Sequence, residues 1–338
     1  MKIIFRSLWM LLAATLFGAA ANAADHTVVI KFSHVTAPET PKGWAALRFK
    51  EIAEKRTAGK VRIEVYPNGT LFKDKDEFDA LRAGSVQMLA PSLVKLSAGP
   101  IDVTEFQLFN LPYIFPSVDL LRRITSGPIG AAIFAKLEPQ GIIGLAYWDN
   151  GFMSMSANRP LRKPLDMSGL KMRVSSSAGE PMMRKLGALP QVMPLSDVYQ
   201  AMRAGRIDGT ENVPSNLYTQ NLHEVQKYIT VSNHSYLGYA VIANKKFWDG
   251  LPADIRVQLK LALLDATRYA NLYAERENNE ALAKIRASGN TEIYTLSIDE
   301  REAWRRALMP VHEALQARVG KELIQAVYKE GAALGYKF

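Results

Sequence analysis

The sequence predicts an α/β protein built from two related lobes. Near the start of the chain, strand-like and helix-like segments alternate, which is typical of layered α/β architectures. A twelve-residue segment recurs once further along the chain, and a helix-like stretch without glycine or proline runs through much of the C-terminal part. Together these features favour two similar α/β units, joined in a clamshell with one long helix.

The first unit begins with a strand, a helix and a second strand. Residues 27–32 form a run rich in β-branched side chains, which predicts a buried strand. Residues 44–56 show apolar side chains at helical spacing, and Gly59 marks the end of that helix. Residues 61–66 alternate between apolar and polar side chains, as a half-buried strand does.

The recurring segment covers residues 76–87 and 197–208, which align without gaps. Each copy predicts a helix that ends at a glycine (Gly84 and Gly205) and is followed by a short apolar strand. We interpret the copies as parts of two related lobes; chance similarity is the alternative. Ligands of open α/β sheets bind beyond the carboxyl ends of the strands. We therefore expect the segments after the two strands, 90–92 and 211–213, to face each other across one cleft. That cleft is the arrangement of a clamshell binding protein.

The C-terminal part of the sequence predicts helices. The first runs from Ala253 to about residue 287 and would be ~50 Å long at ~1.5 Å per residue, long enough to cross both lobes. Residues 298–319 form a second helical stretch, capped by Ser297 or Asp299, that Pro310 should kink or break. A last helix is expected over residues 321–334.

Residues 1–23 have the features of a secretory signal peptide. Lys2 and Arg6 precede an apolar run over 8–20, and Ala21, Asn22 and Ala23 match the A-x-A cleavage pattern. The run of 13 residues is shorter than the ~20 that span a bilayer. A membrane anchor or a buried N-terminal helix is the alternative. Cleavage would leave 338 − 23 = 315 residues and lower the net charge from +9 to +7, so we expect a soluble, exported protein.

Composition excludes several classes of function. The absence of cysteine rules out disulfide scaffolds, thiolate metal sites and cysteine nucleophiles. The basic residues are dispersed rather than arranged in a stripe with aromatic side chains, so nucleic acid is not an expected partner. A mild positive field raises encounter rates with small anions. The five histidines lack metal-ligand spacing, and nucleotide-binding and nucleophile motifs are absent. We therefore predict no cofactor, no metal and no enzymatic activity.

Several motifs in the mature chain together resemble the DctP-type solute-binding proteins of TRAP (tripartite ATP-independent periplasmic) transporters. The resemblance covers essentially the whole mature chain. The motifs are QMLAPSL (87–93), FNLPYIF (109–115), YWDNGF (147–152), GLKMRV (169–174), DGTEN (208–212) and parts of 225–239.

The resemblance implies a two-lobed periplasmic-binding-protein clamshell with hinge strands and a long helix spanning both lobes. We expect residues 24–150 plus 239–278 in lobe I, and 151–238 plus 279–338 in lobe II. Such a receptor, expected to be a monomer, captures a small organic carboxylate in the periplasm. It delivers the carboxylate to the small and large membrane subunits of a permease driven by an ion gradient, usually sodium. The alternative is an exported receptor that presents its ligand to a sensor kinase.

The resemblance also assigns roles to two side chains. In the family, the arginine at the position of Arg173 binds the ligand carboxylate, and the asparagine at Asn212 forms a hydrogen bond near it. In the segment 170–175, Arg173 alternates with the apolar residues, and its planar guanidinium can form two parallel hydrogen bonds with a carboxylate. A surface arginine is the alternative interpretation.

One position departs from the family pattern. Relatives that bind dicarboxylates commonly carry lysine or arginine where this chain has Met153, and a thioether cannot offset a second buried carboxylate. Either the ligand is a monocarboxylate with an apolar or hydroxylated tail, or another cation takes that role. A packing residue away from the ligand is the alternative interpretation of Met153. The cations considered are Lys42, Lys95 and His34. Asn110 stands where an aspartate is expected. Further candidates for the cleft wall are Trp148, Phe152, Ser92, Glu39, Ser175 and Tyr236.

Overall fold

The computed structural model describes residues 27–338, and the predicted signal peptide over 1–23 lies outside them. The strands are β1 (Val28–Ser33), β2 (Val61–Tyr66), β3 (Met88–Leu89), β4 (Ile142–Phe152), β5 (Ser154–Ala157), β6 (Lys171–Val174), β7 (Leu189–Val192), β8 (Gly209–Asn212), β9 (Tyr228–Val231), β10 (Tyr236–Asn244) and β11 (Glu292–Thr295). The helices are α1 (Pro41–Arg56), α2 (Glu77–Arg82), α3 (Val118–Thr125), α4 (Pro128–Ala135), α5 (Glu180–Lys185), α6 (Val198–Arg203), α7 (Pro214–Thr219), α8 (Lys245–Gly250), α9 (Ala253–Ser288), α10 (Ile298–Leu308), α11 (Pro310–Val319) and α12 (Lys321–Ala333).

The strands form two sheets that repeat one arrangement. The first sheet has the order β2-β1-β3-β10-β4 and the second β11-β9-β5-β8-β6-β7. In each, three parallel strands (β2-β1-β3 and β7-β6-β8) are followed by an antiparallel strand, β10 or β5. Each sheet is the centre of one lobe. The mixed α/β fold with two lobes is therefore confirmed.

The recurring sequence segment occupies the same place in both sheets. Its helices are α2 and α6, and each is followed by a glycine with positive φ, +76° at Gly84 and +67° at Gly205. Met88 and Gly209, the residues that directly follow the two copies, open the short strands that pair in parallel with β1 and β6. The repeat in the sequence is thus a repeat in topology.

Two strand connections and one helix pass between the sheets. Met153 joins β4 to β5, and residues 232–235 join β9 to β10. The backbone N–H of Met153 donates to the carbonyl of Ser235 at 2.9 Å, so the two connections are held side by side. Beside them, Gly151 has φ +139°, a conformation that L side chains rarely adopt.

Helix α9 spans both lobes, as predicted. Its 36 residues measure ~54 Å at ~1.5 Å per residue. It packs against α1 and β4 of the first lobe and against α7 and β11 of the second. At its crossing point the buried Asn278 donates from Nδ2 to the carbonyl of Asn150 at 2.5 Å and accepts from the N–H of Ser215 at 3.0 Å. The helix is therefore pinned to both lobes.

The predicted helix ends are mostly confirmed. Ser297 caps α10 in a reciprocal capping box with Glu300, and Pro310 separates α10 from α11. The first helix begins at Pro41 rather than at residue 44, because the Thr40 side chain accepts from the N–H of Gly43 and caps the helix. Apolar spacing marks only the buried positions of a helix, whereas its start depends on the cap.

The last helix packs away from α10. Val311 of α11 clusters with Met155 and Met172 of the second sheet. Ile324 and Val327 of α12 instead cluster with the core around Ile142 and Ile242 of the first sheet. We propose on this basis that residues 321–338 belong with lobe I rather than with lobe II; the other predicted lobe boundaries stay predictions.

Candidate functional site

A cavity lies between the two sheets, next to the connections that join them. Both lobes contribute to its wall, and Met153 of the β4–β5 connection contributes at the hinge. The lining residues are Val35, Thr36, Asp74, Ser92, Lys95, Met153, Arg173, Ser175, Leu195, Glu211, Asn212, Asn216, Leu237 and Tyr239. Ser92, Glu211 and Asn212 are among them, so residues of both segments, 90–92 and 211–213, line one cavity, as the sequence predicts.

Arg173 places a buried guanidinium in this wall. The residue is 4% exposed on β6, and its Nε donates to the carbonyl of Met193 at 3.0 Å. Within residues 27–338 this is the one hydrogen bond that its side chain makes, so both terminal nitrogens remain as donors. Burial lowers the pKa of Arg173, and the nearby carboxylates of Asp74 and Glu211 oppose that shift. An anion in the cavity would meet two parallel donors.

Asn212 is oriented by its neighbours so that it presents donors. Its Oδ1 accepts from the N–H of Val213 and from Nδ2 of Asn216, both at 2.9 Å. With the carbonyl oxygen occupied, the NH₂ group remains available to a ligand oxygen. Asn216 also donates to the hydroxyl of Tyr239 at 3.4 Å, and Asn150 donates to the same hydroxyl at 2.8 Å.

Glu211, the residue before Asn212, connects the cavity to the β9–β10 connection. Its Oε2 lies 2.9 Å from Nε2 of His234, and Nδ1 of His234 lies 2.7 Å from Oγ of Ser232. Both His234 and Ser232 are fully buried. The Glu211 carboxylate in the cavity wall is therefore linked by hydrogen bonds to the connection between β9 and β10.

Asp74 and Lys95 form an ion pair that also joins the lobes. Lys95 Nζ contacts Oδ1 of Asp74, and the other oxygen, Oδ2, accepts from the N–H of Leu195 in the second lobe at 3.0 Å. Burial raises the pKa of Asp74, but Lys95, the Leu195 N–H and Arg173 together outweigh this and lower it to about 2. Asp74 is thus ionised at neutral pH and holds the two lobes together.

Lys42 lies behind the wall of the cavity. It is fully buried; its Nζ donates to the carbonyl of Ala90 at 3.0 Å and sits 3.7 Å from the centre of the Tyr239 ring. Burial lowers the pKa of Lys42, and the nearby Glu77 opposes the shift. Burial raises the pKa of Glu77, whose Oε1 is buried without a hydrogen-bond partner among the described residues.

The structure separates the three cations considered for a second carboxylate. Lys95 lines the cavity, and Lys42 reaches it only through Tyr239. His34 is buried and does not line the cavity; burial and the charge of Lys42 lower its pKa to about 3. Because His34 is uncharged at neutral pH, it does not offer a cation.

Five of the ten predicted site residues line the cavity: Arg173, Asn212, Met153, Ser92 and Ser175. Met153 also packs in the first lobe's core beside Trp148, so it lines the cavity and is a packing residue at the same time. Asn110 is buried, but it does not line the cavity.

The other five predicted residues do not line the cavity. Trp148 is a core residue that packs on Phe32 and donates from Nε1 to Thr267 at 2.9 Å. Phe152 and Tyr236 pack on each other, with ring centres 6.2 Å apart. The remaining two are His34, buried as described above, and Glu39, which is exposed. Large aromatic side chains beside a binding segment fill the core because their apolar area is best removed from water.

Sequence reasoning missed most of the first lobe's contribution. Glu211 lies in a segment that the repeat placed at the cleft, so its position carried a usable signal. Asp74 and Tyr239 gave none: Asp74 sits in an irregular loop, and Tyr239 in a strand whose nine residues are all buried. The remaining lining residues outside the predicted set are Val35, Thr36, Leu195, Asn216 and Leu237.

The described residues hold no group of acidic, histidine or cysteine side chains suited to a metal ion. Over the same range, none of the helices combines the length and apolar character that a bilayer crossing requires.

Comparison with known proteins gives matches over nearly the whole chain. The sequence model of the DctP family, described as "Bacterial extracellular solute-binding protein, family 7", matches residues 32–318. The C4-dicarboxylate-binding periplasmic protein DctP of Rhodobacter capsulatus is 54% identical over 325 residues, which cover 95% of this chain and 97% of that protein.

Solved structures also match over most of the chain. A TRAP periplasmic solute-binding protein from Shewanella oneidensis, with bound succinate, superposes with a TM-score of 0.86 at 39% identity and covers 90% of this chain and 99% of its own. One from Pseudomonas aeruginosa, with bound L-malate, has a TM-score of 0.82 at 42% identity and covers 85% and 99%.

Proposed function

The chain belongs to the DctP family of periplasmic solute-binding proteins of TRAP transporters, and from that premise we propose that it binds a C4-dicarboxylate between its lobes. Members of this family are binding receptors rather than enzymes. The observation that carries the proposal is the buried Arg173 guanidinium, which faces a cavity lined from both lobes with two nitrogens free to donate.

The named relatives support one of the two ligand classes that Met153 leaves open. The Rhodobacter protein is named for C4-dicarboxylates, and the two solved structures hold succinate and malate. Their identities of 39–54% over nearly the whole chain support a dicarboxylate here as well. Lys95 also lines the cavity, but it is paired with Asp74, so the support for a dicarboxylate comes from these relatives.

Ligand binding should close the clamshell. Arg173 and Asn212 come from the second lobe, whereas Ser92, Lys95 and Tyr239 come from the first. A ligand that touches both walls gains contacts in the closed state that the open state lacks, so it shifts the population toward closure.

The carboxylate clamp is tested by Arg173→Lys. A lysine keeps the charge but loses the planar pair of donors, so we expect succinate affinity to fall at least about tenfold, or ~1.4 kcal/mol, in titration calorimetry. Arg206→Lys, an exposed change in the same lobe, is the matched control and should leave affinity unchanged. Unaltered affinity in Arg173→Lys, with a native thermal transition, would refute the clamp.

The ligand class is tested by thermal unfolding of the mature protein with a panel of acids. Succinate, malate and fumarate are set beside aliphatic, hydroxylated and aromatic monocarboxylates. Ligand at a hundred times its dissociation constant stabilises the folded state by ~2.7 kcal/mol, a shift of several degrees. Stabilisation by monocarboxylates alone would overturn the dicarboxylate assignment and make Met153 the residue that sets specificity.

We further propose that the signal peptide over 1–23 directs this receptor to the periplasm. There, as a monomer, it would hand its ligand to the small and large permease subunits. Membrane vesicles containing the permease should take up labelled succinate only when the loaded receptor is added. Uptake should stop when the sodium gradient is dissipated. Succinate uptake that is the same with and without the receptor would favour the alternative, a receptor that presents its ligand to a sensor kinase.

A further inference from the structure

Lys42 is a buried cation with few partners. It is fully buried, its Nζ makes one hydrogen bond, to the carbonyl of Ala90, and it rests on the face of the Tyr239 ring. No carboxylate lies within ion-pair distance of it among residues 27–338. An aromatic face attracts a cation without neutralising it, so the potential of Lys42 extends to the cavity that Tyr239 lines.

The charges that line the cavity already cancel. Arg173 and Lys95 are cations, while Asp74 and Glu211 are carboxylates, and Lys95 is paired directly with Asp74. A dicarboxylate adds two negative charges to this enclosed site. Burying a charge without compensation is costly, so some group must become more positive when the dianion binds.

We infer, resting on the proposed function, that Lys42 offsets the second carboxylate of the ligand through the ring of Tyr239 and takes up a proton from solvent as the dianion binds. Lys42 therefore does not contact the ligand. Its positive charge acts on the ligand across the ring of Tyr239.

The groups around Lys42 favour this assignment. His34, on one side of Lys42, is uncharged at neutral pH, and Lys95 is ion-paired with Asp74, so neither is a free cation. Glu77 of α2, also buried, lacks a partner for Oε1. Burial lowers the pKa of Lys42 to about 7 even though the charge of Glu77 opposes the shift, so much of Lys42 is uncharged at about pH 8 in the empty receptor. A dianion nearby favours the charged form.

Proton uptake tests the inference directly. Succinate binding is measured by calorimetry at about pH 8, between the ordinary pKa values of histidine and lysine, in buffers with different ionisation enthalpies. We expect wild type to take up a large fraction of one proton and Lys42→Met none, whereas Lys60→Met, which changes an exposed lysine of the same lobe, should take up as much as wild type. Methionine fills a similar volume without charge, and an apolar replacement for a buried charge is often neutral or stabilising. Lys42→Met is therefore expected to fold.

The preference of the receptor for a doubly charged over a singly charged ligand is a second measurement, and a purely structural role of Lys42 would leave this preference unchanged. Succinate and its monoamide differ in the second charge but little in shape. Lys42→Met should reduce the preference for succinate over the monoamide at least about tenfold, whereas a packing defect weakens both ligands equally.

The outcomes separate the inference from its premise. Wild type that fails to bind succinate overturns the proposed function and the inference with it. Binding without proton uptake, uptake that persists in Lys42→Met, or equal weakening of both ligands overturns the inference alone. If Lys95→Met rather than Lys42→Met abolishes the preference for succinate, the lining lysine is the responsible cation and the inference is wrong.

Discussion

Asp74→Asn should destabilise the folded receptor in a manner that depends on pH. The change removes the charge paired with Lys95, yet an asparagine oxygen can still accept from the N–H of Leu195. The contact between the lobes is thereby kept while its electrostatic part is deleted. A stability loss can then be attributed to charge rather than to a missing hydrogen bond.

The size of the loss follows from the pKa of Asp74. Folding lowers that pKa from 3.8 to about 2, and each unit corresponds to ~1.4 kcal/mol. The ionised carboxylate therefore contributes about 2–3 kcal/mol to the free energy of unfolding. Because the folded-state pKa is the lower one, this stability is fully present above the unfolded pKa. It is lost as pH falls toward 2, and about half of it remains at about pH 3.

Urea unfolding at about pH 6 and about pH 3 measures the prediction. The difference in unfolding free energy between wild type and Asp74→Asn should be at least 2 kcal/mol at the higher pH, from the pKa shift above, and clearly smaller at the lower one. Asp79→Asn changes an exposed aspartate on the neighbouring helix. As the matched control, it should show a small difference at both pH values.

A constant difference would contradict this reasoning. If Asp74→Asn is equally destabilised at both pH values, the loss comes from packing or from the uncompensated Lys95 rather than from the depressed pKa. If it is no less stable than Asp79→Asn, the ion pair contributes nothing to folding.

Two further substitutions test the hinge and the C-terminal helices. Gly151→Ala should lower the free energy of unfolding in urea by at least about 2 kcal/mol, because φ is +139° and the new Cβ would lie 2.7 Å from Nδ2 of Asn278. Gly250→Ala, whose new Cβ meets nothing within 4 Å, is the control and should be near neutral. Equal effects of the two substitutions would contradict this account. Ser297→Ala removes the capping box with Glu300 and should cost about 1 kcal/mol; an unchanged thermal midpoint would show that α11 packing alone holds α10.

The two sheets were predictable because their signals are local. β-branched runs, alternation and glycine stops each act within a few residues, and the twelve-residue repeat carried one local pattern into both lobes. The repeat also predicted the position of the cleft. The strand ends occupy equivalent places in the two sheets, so they meet when the sheets face each other. Ser92 and Asn212 were found in this way without any contact being known.

The first lobe's side of the site was not predictable in the same way. Asp74 reaches the cavity because an irregular loop is pinned by Lys95 and by the Leu195 N–H, and both partners are distant in sequence. Trp148 and Tyr239 are both aromatic residues of buried strands, yet only Tyr239 faces the cavity. Which aromatic side chain packs in the core depends on the neighbouring elements, and a sequence pattern does not contain that information.

One network of hydrogen bonds connects the proposed ligand contact to the elements that join the lobes. Asn212 accepts from Asn216, and Asn216 and Asn150 both donate to the Tyr239 hydroxyl. The carbonyl of Asn150 in turn accepts from Asn278 of α9 at 2.5 Å. Under the proposed function, a carboxylate that binds the amide of Asn212 would also act on groups fixed to β4, β10 and the long helix. Because these are the elements that join the lobes, we propose that this network transmits ligand binding to lobe closure.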